Sequence, residues 1–102
     1  MSYDVSLRQG KDLTFEIGNY TYNCSQMFYQ GTDTGLNQLD GMKASEAYPI
    51  LKERFEYMRD NPEEMKQYEP DNGWGNYEGF LDFVGRITVA CRNNPDATLE
   101  VC

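Results

Sequence analysis

The sequence of 102 residues contains no histidine. The chain therefore lacks the side chain that most often acts as a general base near neutral pH, and with it the Ser–His and Cys–His nucleophile pairs. Its three cysteines, Cys24, Cys91 and Cys102, are widely spaced and form no CxxC pair, which argues against a structural zinc site. We expect a protein that is not an enzyme and that holds no metal and no cofactor.

Long hydrophobic runs are also missing, and no stretch is apolar enough for a membrane span. The start Met1-Ser2-Tyr3-Asp4 does not have the pattern of a signal peptide. An odd number of unpaired cysteines is typical of a reducing compartment. These features predict a cytoplasmic chain without a membrane partner.

Basic residues are scarce, with 9 lysines and arginines against 17 acids and a net charge of −8. Contacts with phosphate need a basic face, so we expect no direct binding to nucleic acid. From Glu53 to Asp71 there are seven acids and three bases (Arg54, Arg59 and Lys66), a net charge of −4 that is half of the total. The seven acids are Glu53, Glu56, Asp60, Glu63, Glu64, Glu69 and Asp71.

This acidic segment has two interpretations. The simpler one is a solvated helix surface with acids placed favourably near helix N-termini. The alternative is a negative patch that meets a basic groove on a partner protein, such as a groove evolved for nucleic acid.

The apolar pattern predicts an α+β fold in one domain, residues 1–102. Alternation in Tyr3, Val5 and Leu7, and again in Leu13, Phe15 and Ile17, predicts a hairpin with one apolar face. Three- and four-residue spacing predicts two main helices, one starting near Ala44 or Ser45 and one following residue 76. Short helical segments and a strand at Thr98-Leu99-Glu100-Val101 complete the chain. We expect a small antiparallel sheet, the hairpin plus the last strand, packed on one side against the two main helices.

Three local signals refine this prediction. Asn61 before Pro62 is typical of an N-cap followed by the first residue of a helix. Pro49 is expected near the first turn of its helix. Gly79 and Gly85 lower the stability of the last helix, which indicates that another element approaches closely there.

Amide and phenol side chains are concentrated in the stretch from Gly18 to Tyr29, and a Gly-rich loop carries the one tryptophan. One interpretation places these groups in the core, its rim and turns. The other brings them together on a ligand or a partner, since amides and phenols both donate and accept hydrogen bonds. The candidate binding residues are Asn19, Tyr20, Tyr22, Asn23, Trp74 and Asn76.

Four short motifs are spread over most of the chain: Tyr3-Asp4-Val5; Asn19-x-Thr21-Tyr22-Asn23 followed by Met27-Phe28; Gly41-x-Lys43-Ala44-Ser45-Glu46 with Pro49-x-Leu51; and Trp74-x-Asn76. Together they resemble a group of small acidic, largely uncharacterised proteins encoded in bacteriophages and prophages. In that group the first hairpin is typically longer than the one turning at Gln9-Gly10-Lys11-Asp12 here.

The resemblance implies a setting, the host cytoplasm, in which small acidic phage proteins inhibit host machinery or immunity. The leading hypothesis is a binding protein that inhibits a host protein, such as an antiviral defence component, through its acidic and aromatic surface. One alternative is a module that captures a nucleotide-like signalling molecule, for which Arg8, Lys11, Lys43, Arg86 and Arg92 would have to converge. A second alternative is a virion assembly protein that forms oligomers.

Overall fold

A computed structural model describes residues 2–10, 13–21, 24–29, 34–70, 73 and 75–102. These residues form strands β1 (Ser2–Gln9), β2 (Leu13–Thr21) and β3 (Thr98–Val101), with the helical elements between β2 and β3. The helices are α1 (Ser25–Tyr29), a 3-10 helix (Leu36–Leu39), α2 (Ala44–Asp60), α3 (Pro62–Lys66) and α4 (Tyr77–Asn93).

The three strands form one antiparallel sheet in the order β2-β1-β3. The central strand β1 pairs Tyr3 with Tyr20 on one side and Leu7 with Leu99 on the other. Contacts of α4 with β1 and β2, and of α2 with β3, bring the long helices onto the sheet. The predicted α+β class and the joining of the last strand to the hairpin are confirmed.

A bulge in β2 overturns one detail of the predicted hairpin. Val5 pairs with Gly18 but Ser6 pairs with Glu16, so Ile17 is an extra residue in β2. Such an insertion reverses the alternation of side chains along the bulged strand. Ile17 therefore leaves the predicted alternation. Phe15 pairs with Leu7 and so lies on the predicted apolar face, but its side chain is 44% exposed there.

The two long helices run antiparallel and pack closely. The Tyr77 hydroxyl donates a hydrogen bond to the Met58 carbonyl over 2.7 Å, which joins the start of α4 to the end of α2. Further along, a Cβ atom on Gly85 would lie 2.9 Å from the ring of Phe55. The close approach predicted at Gly85 is confirmed, because only a residue without a side chain leaves room for that ring.

Two helix boundaries differ from the sequence prediction. Asn61 precedes α3 but makes no side-chain cap there; its amide instead donates to the Tyr57 carbonyl over 2.8 Å, at the end of α2. Pro49 is the sixth residue of α2 and so lies in its second turn rather than its first. None of the described helices is long and apolar enough to cross a bilayer.

Candidate interaction surfaces

The hydroxyl of Tyr20 and the backbone of Asn76 hold β2 against the start of α4. The Asn76 N–H donates to the Tyr20 hydroxyl over 3.0 Å, and that hydroxyl donates to the Asn76 carbonyl over 3.4 Å. The Asn76 side chain accepts from the Gly79 N–H at 2.7 Å and so caps α4. The polar groups of these two candidate binding residues are thus engaged within the protein.

The ring of Tyr20 adds an aromatic contact to the same junction. Its centroid lies 5.7 Å from that of Phe83 in a stacked arrangement and 5.9 Å from that of Phe80. A Cβ atom on Gly79 would collide with the Tyr20 hydroxyl, so the close approach predicted at Gly79 is confirmed. Tyr20 faces the helices because the bulge at Ile17 reverses the alternation of β2.

The other candidate binding residues are not brought to this junction by the described structure. Asn19 is exposed and pairs with Asp4, so it faces away from the helices while Tyr20 faces toward them. Tyr22, Asn23 and Trp74 lie outside the described residues. Tyr20 and Asn76 meet, and Asn19 lies on the opposite face of the sheet.

The acidic segment divides into carboxylates with local partners and carboxylates without them. Asp60 pairs with Arg59 at 3.0 Å, Glu64 accepts from the Tyr57 hydroxyl at 2.7 Å, and Glu69 accepts from the Tyr77 N–H at 2.7 Å.

The remaining acids of this segment form an unneutralised row. Glu53 and Glu56 are three residues apart on α2, with Glu63 exposed at the start of α3. Within the described part of the chain no lysine or arginine forms an ion pair with any of these three. We call Glu53, Glu56 and Glu63 the acidic row; Asp71 lies outside the described residues.

Arg54 is one of the three bases counted in this segment, yet it points into the protein. Its side chain is buried, its Nε donates to the Phe28 carbonyl over 3.0 Å, and its guanidinium lies 4.8 Å from the Tyr57 ring centroid. Burial lowers the pKa of Arg54. The sequence analysis missed this placement; the available signal was that Arg54 lies three residues after Leu51 and four before Met58, both on the buried stripe of α2.

The buried thiols are poor nucleophiles. Burial raises the pKa of Cys24 to about 11, with a smaller contribution from the charge of Glu69. Burial also raises the pKa of Cys91 to about 11. Both thiols are therefore protonated at neutral pH. No group of three or more Cys, Asp or Glu side chains among the described residues could hold a metal ion.

A groove of about 850 Å³ runs between α2 and α4. Its apolar lining is Tyr48, Phe55, Leu81, Gly85, Val89 and Ala90. Charged residues of both signs border it: Lys52, Glu56, Arg59, Glu78, Asp82, Arg86 and Arg92. Sequence patterns missed this surface because Tyr48, Phe55 and Leu81 have the spacing of core residues. Val89 was the available signal, an apolar residue off the buried stripe of α4 and 45% exposed.

The bases that a nucleotide-capture pocket would need are dispersed. Arg8 on β1 pairs with Glu100 at 3.5 Å, and Lys43 before α2 pairs with Asp96 at 3.9 Å. Arg86 and Arg92 line the groove, and Lys11 lies outside the described residues.

Comparison with protein-family models, with curated proteins and with solved structures gave no match.

Proposed function

We propose that this protein is a non-enzymatic binding protein that inhibits a host factor in the host cytoplasm, by docking its acidic row onto a basic protein surface. The observation that carries the proposal is that Glu53, Glu56 and Glu63 have no ion-pair partner among the described residues. Glu53 and Glu56 act on Arg54 and Arg59 through space but are tied to neither by an ion pair, so these carboxylates remain available to attract a basic partner and to speed its association.

The orientation of Arg54 strengthens this surface. The guanidinium of Arg54 is buried, so it does not stand among the carboxylates at the surface, although its charge is still felt by Glu53 and Glu64. Glu53 and Glu56 are held at fixed spacing, since Leu51 and Met58 anchor α2 in the core, and buried Met65 anchors α3, which carries Glu63. A rigid row of like charges suits a groove whose bases are themselves arranged in a line, as in proteins that bind nucleic acid.

The identity of the partner as a defence component rests on the resemblance to phage proteins. Within that setting, protonated buried thiols and the lack of histidine favour inhibition by occlusion over inhibition by modification of the target.

Charge reversal tests the proposal directly. The protein and a Glu53→Lys/Glu63→Lys variant are immobilised and exposed to bacterial lysate, and captured proteins are identified by mass spectrometry. We expect a basic nucleic-acid-binding protein to be captured by the original chain and lost with the variant. With the purified partner, the association rate should fall about tenfold on charge reversal and again as salt is raised.

The matched control is Asp4→Lys/Glu16→Lys, which makes the same change of charge on the exposed face of the sheet. This control should retain most of the association rate of the original chain. Capture that survives reversal at Glu53 and Glu63 would show that the acidic row does not drive binding. Equal weakening by both variants would show that net charge drives it instead.

A further inference from the structure

The charges that border the groove are sorted along its length. Phe55 of α2 and Gly85 of α4 meet at one level, and the helices run in opposite directions from there. On the side toward the end of α2 lie Glu56, Glu78 and Asp82; on the other side lie Lys52, Arg86 and Arg92. One half of the groove thus carries more acids and the other half only bases, with Arg59 as the exception. Within the chain Glu78 lies 3.9 Å from Lys66, and Asp82 lies 3.1 Å from Arg86; all four side chains stay largely exposed and can also meet charges of a second copy.

The spacing of these charges is symmetrical about the contact of Phe55 with Gly85. Glu78 and Arg92 are each seven residues from Gly85, on opposite sides of it. Asp82 and Arg86 are centred on residue 84, and Lys52 and Glu56 are centred on residue 54. Residue 84 is one residue from Gly85, and residue 54 is one residue from Phe55. With a rise of about 1.5 Å per residue, each centre therefore lies close to the contact of Phe55 with Gly85.

We propose that the occupant of this groove is a second copy of the chain. The two copies would be related by a two-fold axis that lies in the interface and crosses α2 and α4 at the level of Phe55 and Gly85. Such an axis reverses the direction of the groove, so that the acidic half of each copy faces the basic half of the other. On α4, Glu78 then faces Arg92 of the second copy, and Asp82 lies near Arg86 of the second copy.

The apolar lining obeys the same symmetry. Leu81 and Val89 are each four residues from Gly85, so Val89 of one copy packs on Leu81 of the other. At the axis the ring of Phe55 lies over Gly85 of its own chain, so the two copies would meet there through their Phe55 rings.

A foreign partner with one sign of charge fits this groove less well than a second copy does. A uniformly acidic helix would meet Glu56, Glu78 and Asp82 in one half, and a uniformly basic helix would meet Lys52, Arg86 and Arg92 in the other. The dimer goes beyond the proposed function. It places Glu56 of the acidic row in the interface between the copies and leaves Glu53 and Glu63 outside the groove for a basic partner.

The test is a charge swap measured by sedimentation equilibrium. We expect the original chain to be a dimer, and Glu78→Arg or Arg92→Glu alone to weaken dimerisation about tenfold or more, because each places like charges opposite one another. The double variant Glu78→Arg/Arg92→Glu restores the opposite pairing and should return the dissociation constant to within about threefold of the original.

Two further variants separate this interface from loss of folding. Val89→Asp changes an exposed side chain and should give a folded monomer by circular dichroism. Arg8→Glu changes a base on the sheet, away from the groove, and should leave the dimer intact. The proposal is overturned if the original chain is a monomer or if Val89→Asp leaves the dimer unaffected. It is also overturned if the double variant dimerises no more tightly than the two single variants. Binding of a foreign helix by a monomeric chain would identify the other occupant.

Discussion

At the residue scale, the junction of Tyr20 with Asn76 shows how a polar-rich stretch is used for folding. The density of amides and phenols between Gly18 and Tyr29 suggested a recognition surface. In the structure the Tyr20 hydroxyl exchanges hydrogen bonds with the Asn76 backbone, and its ring stacks on Phe83. Hydroxyls beside large rings in a small core need a partner, and here a helix N-terminus supplies it.

Gly79→Ala tests how tightly this junction is packed. By helix propensity alone the change would stabilise α4 by up to about 1 kcal/mol. Because the new Cβ would collide with the Tyr20 hydroxyl, we expect a loss of about 1–3 kcal/mol in the free energy of unfolding, measured by urea denaturation.

A double-mutant cycle provides the control for that result. In a Tyr20→Phe background the hydroxyl is gone, so Gly79→Ala should cost clearly less than it does in the original chain. Equal costs in both backgrounds, or a gain in stability in the original chain, would mean that Tyr20 does not fix the approach of α4 to β2.

At the element scale, periodicity predicted the existence and type of the strands and long helices, because each buries one regular face. It did not predict the bulge at Ile17, because apolar alternation alone does not show an inserted residue; Gly18, a glycine inside the strand with a φ of 156°, was the available signal. The face of Tyr20 depends on that insertion, whereas Phe15 stays on the face of Leu7 and is exposed on the edge strand β2. Candidate site residues on β2 could therefore be named from the sequence but not assigned to a face.

Asn61 illustrates a second limit of local patterns. A helix that ends just before another begins offers an asparagine two partners: the carbonyls of the first helix or the amides of the second. The amide of Asn61 donates to Tyr57 at the end of α2, and its side chain makes no cap on α3. The sequence correctly indicated a helix boundary at Asn61, but it did not indicate whether the side chain would bind the end of α2 or the start of α3.

The two roles of Asn61 predict opposite responses to aspartate. As an N-cap, aspartate would be as good as asparagine. As a donor at the end of α2, it cannot donate, and its charge opposes the helix dipole, so Asn61→Asp should lower the free energy of unfolding by about 1 kcal/mol or more. Asn76→Asp is the matched control, because the Asn76 side chain accepts from Gly79 and aspartate can do the same. Equal stability of the two variants in urea denaturation would contradict the donor role.

At the scale of the whole molecule, the negative charge is not only in excess but is also unevenly distributed over the surface. The acidic row lacks partners among the described residues, Arg54 is buried, and the groove between α2 and α4 has an acidic half and a basic half. Composition gave the net charge but not this distribution, which depends on which helix face each residue occupies. The same chain can therefore present one surface to a basic partner and another to its own copy.

The thiols and tyrosine hydroxyls with raised pKa values predict how the stability of the whole molecule responds to high pH. Burial raises the pKa of both Cys24 and Cys91 from 9.0 to about 11. Burial also raises the pKa of Tyr77, and the hydrogen bond to Glu64 raises that of Tyr57. Because the pKa of each group is higher in the folded state, the unfolded chain loses its proton at a lower pH, and this favours unfolding. The free energy of unfolding is therefore unaffected below about pH 9 and falls as the pH rises toward 11.

The expected fall in the free energy of unfolding between pH 8 and pH 10.5 is about 2 kcal/mol for each buried thiol, measured by urea denaturation under reducing conditions. Cys91→Ala removes one such group, so this variant should start less stable but fall less steeply with pH. Cys102→Ala is the matched control, because Cys102 is exposed and its removal should leave the slope of the original chain unchanged. If Cys91→Ala and the original chain lost stability in parallel, the alkaline response would have to come from the tyrosines and from general charge repulsion.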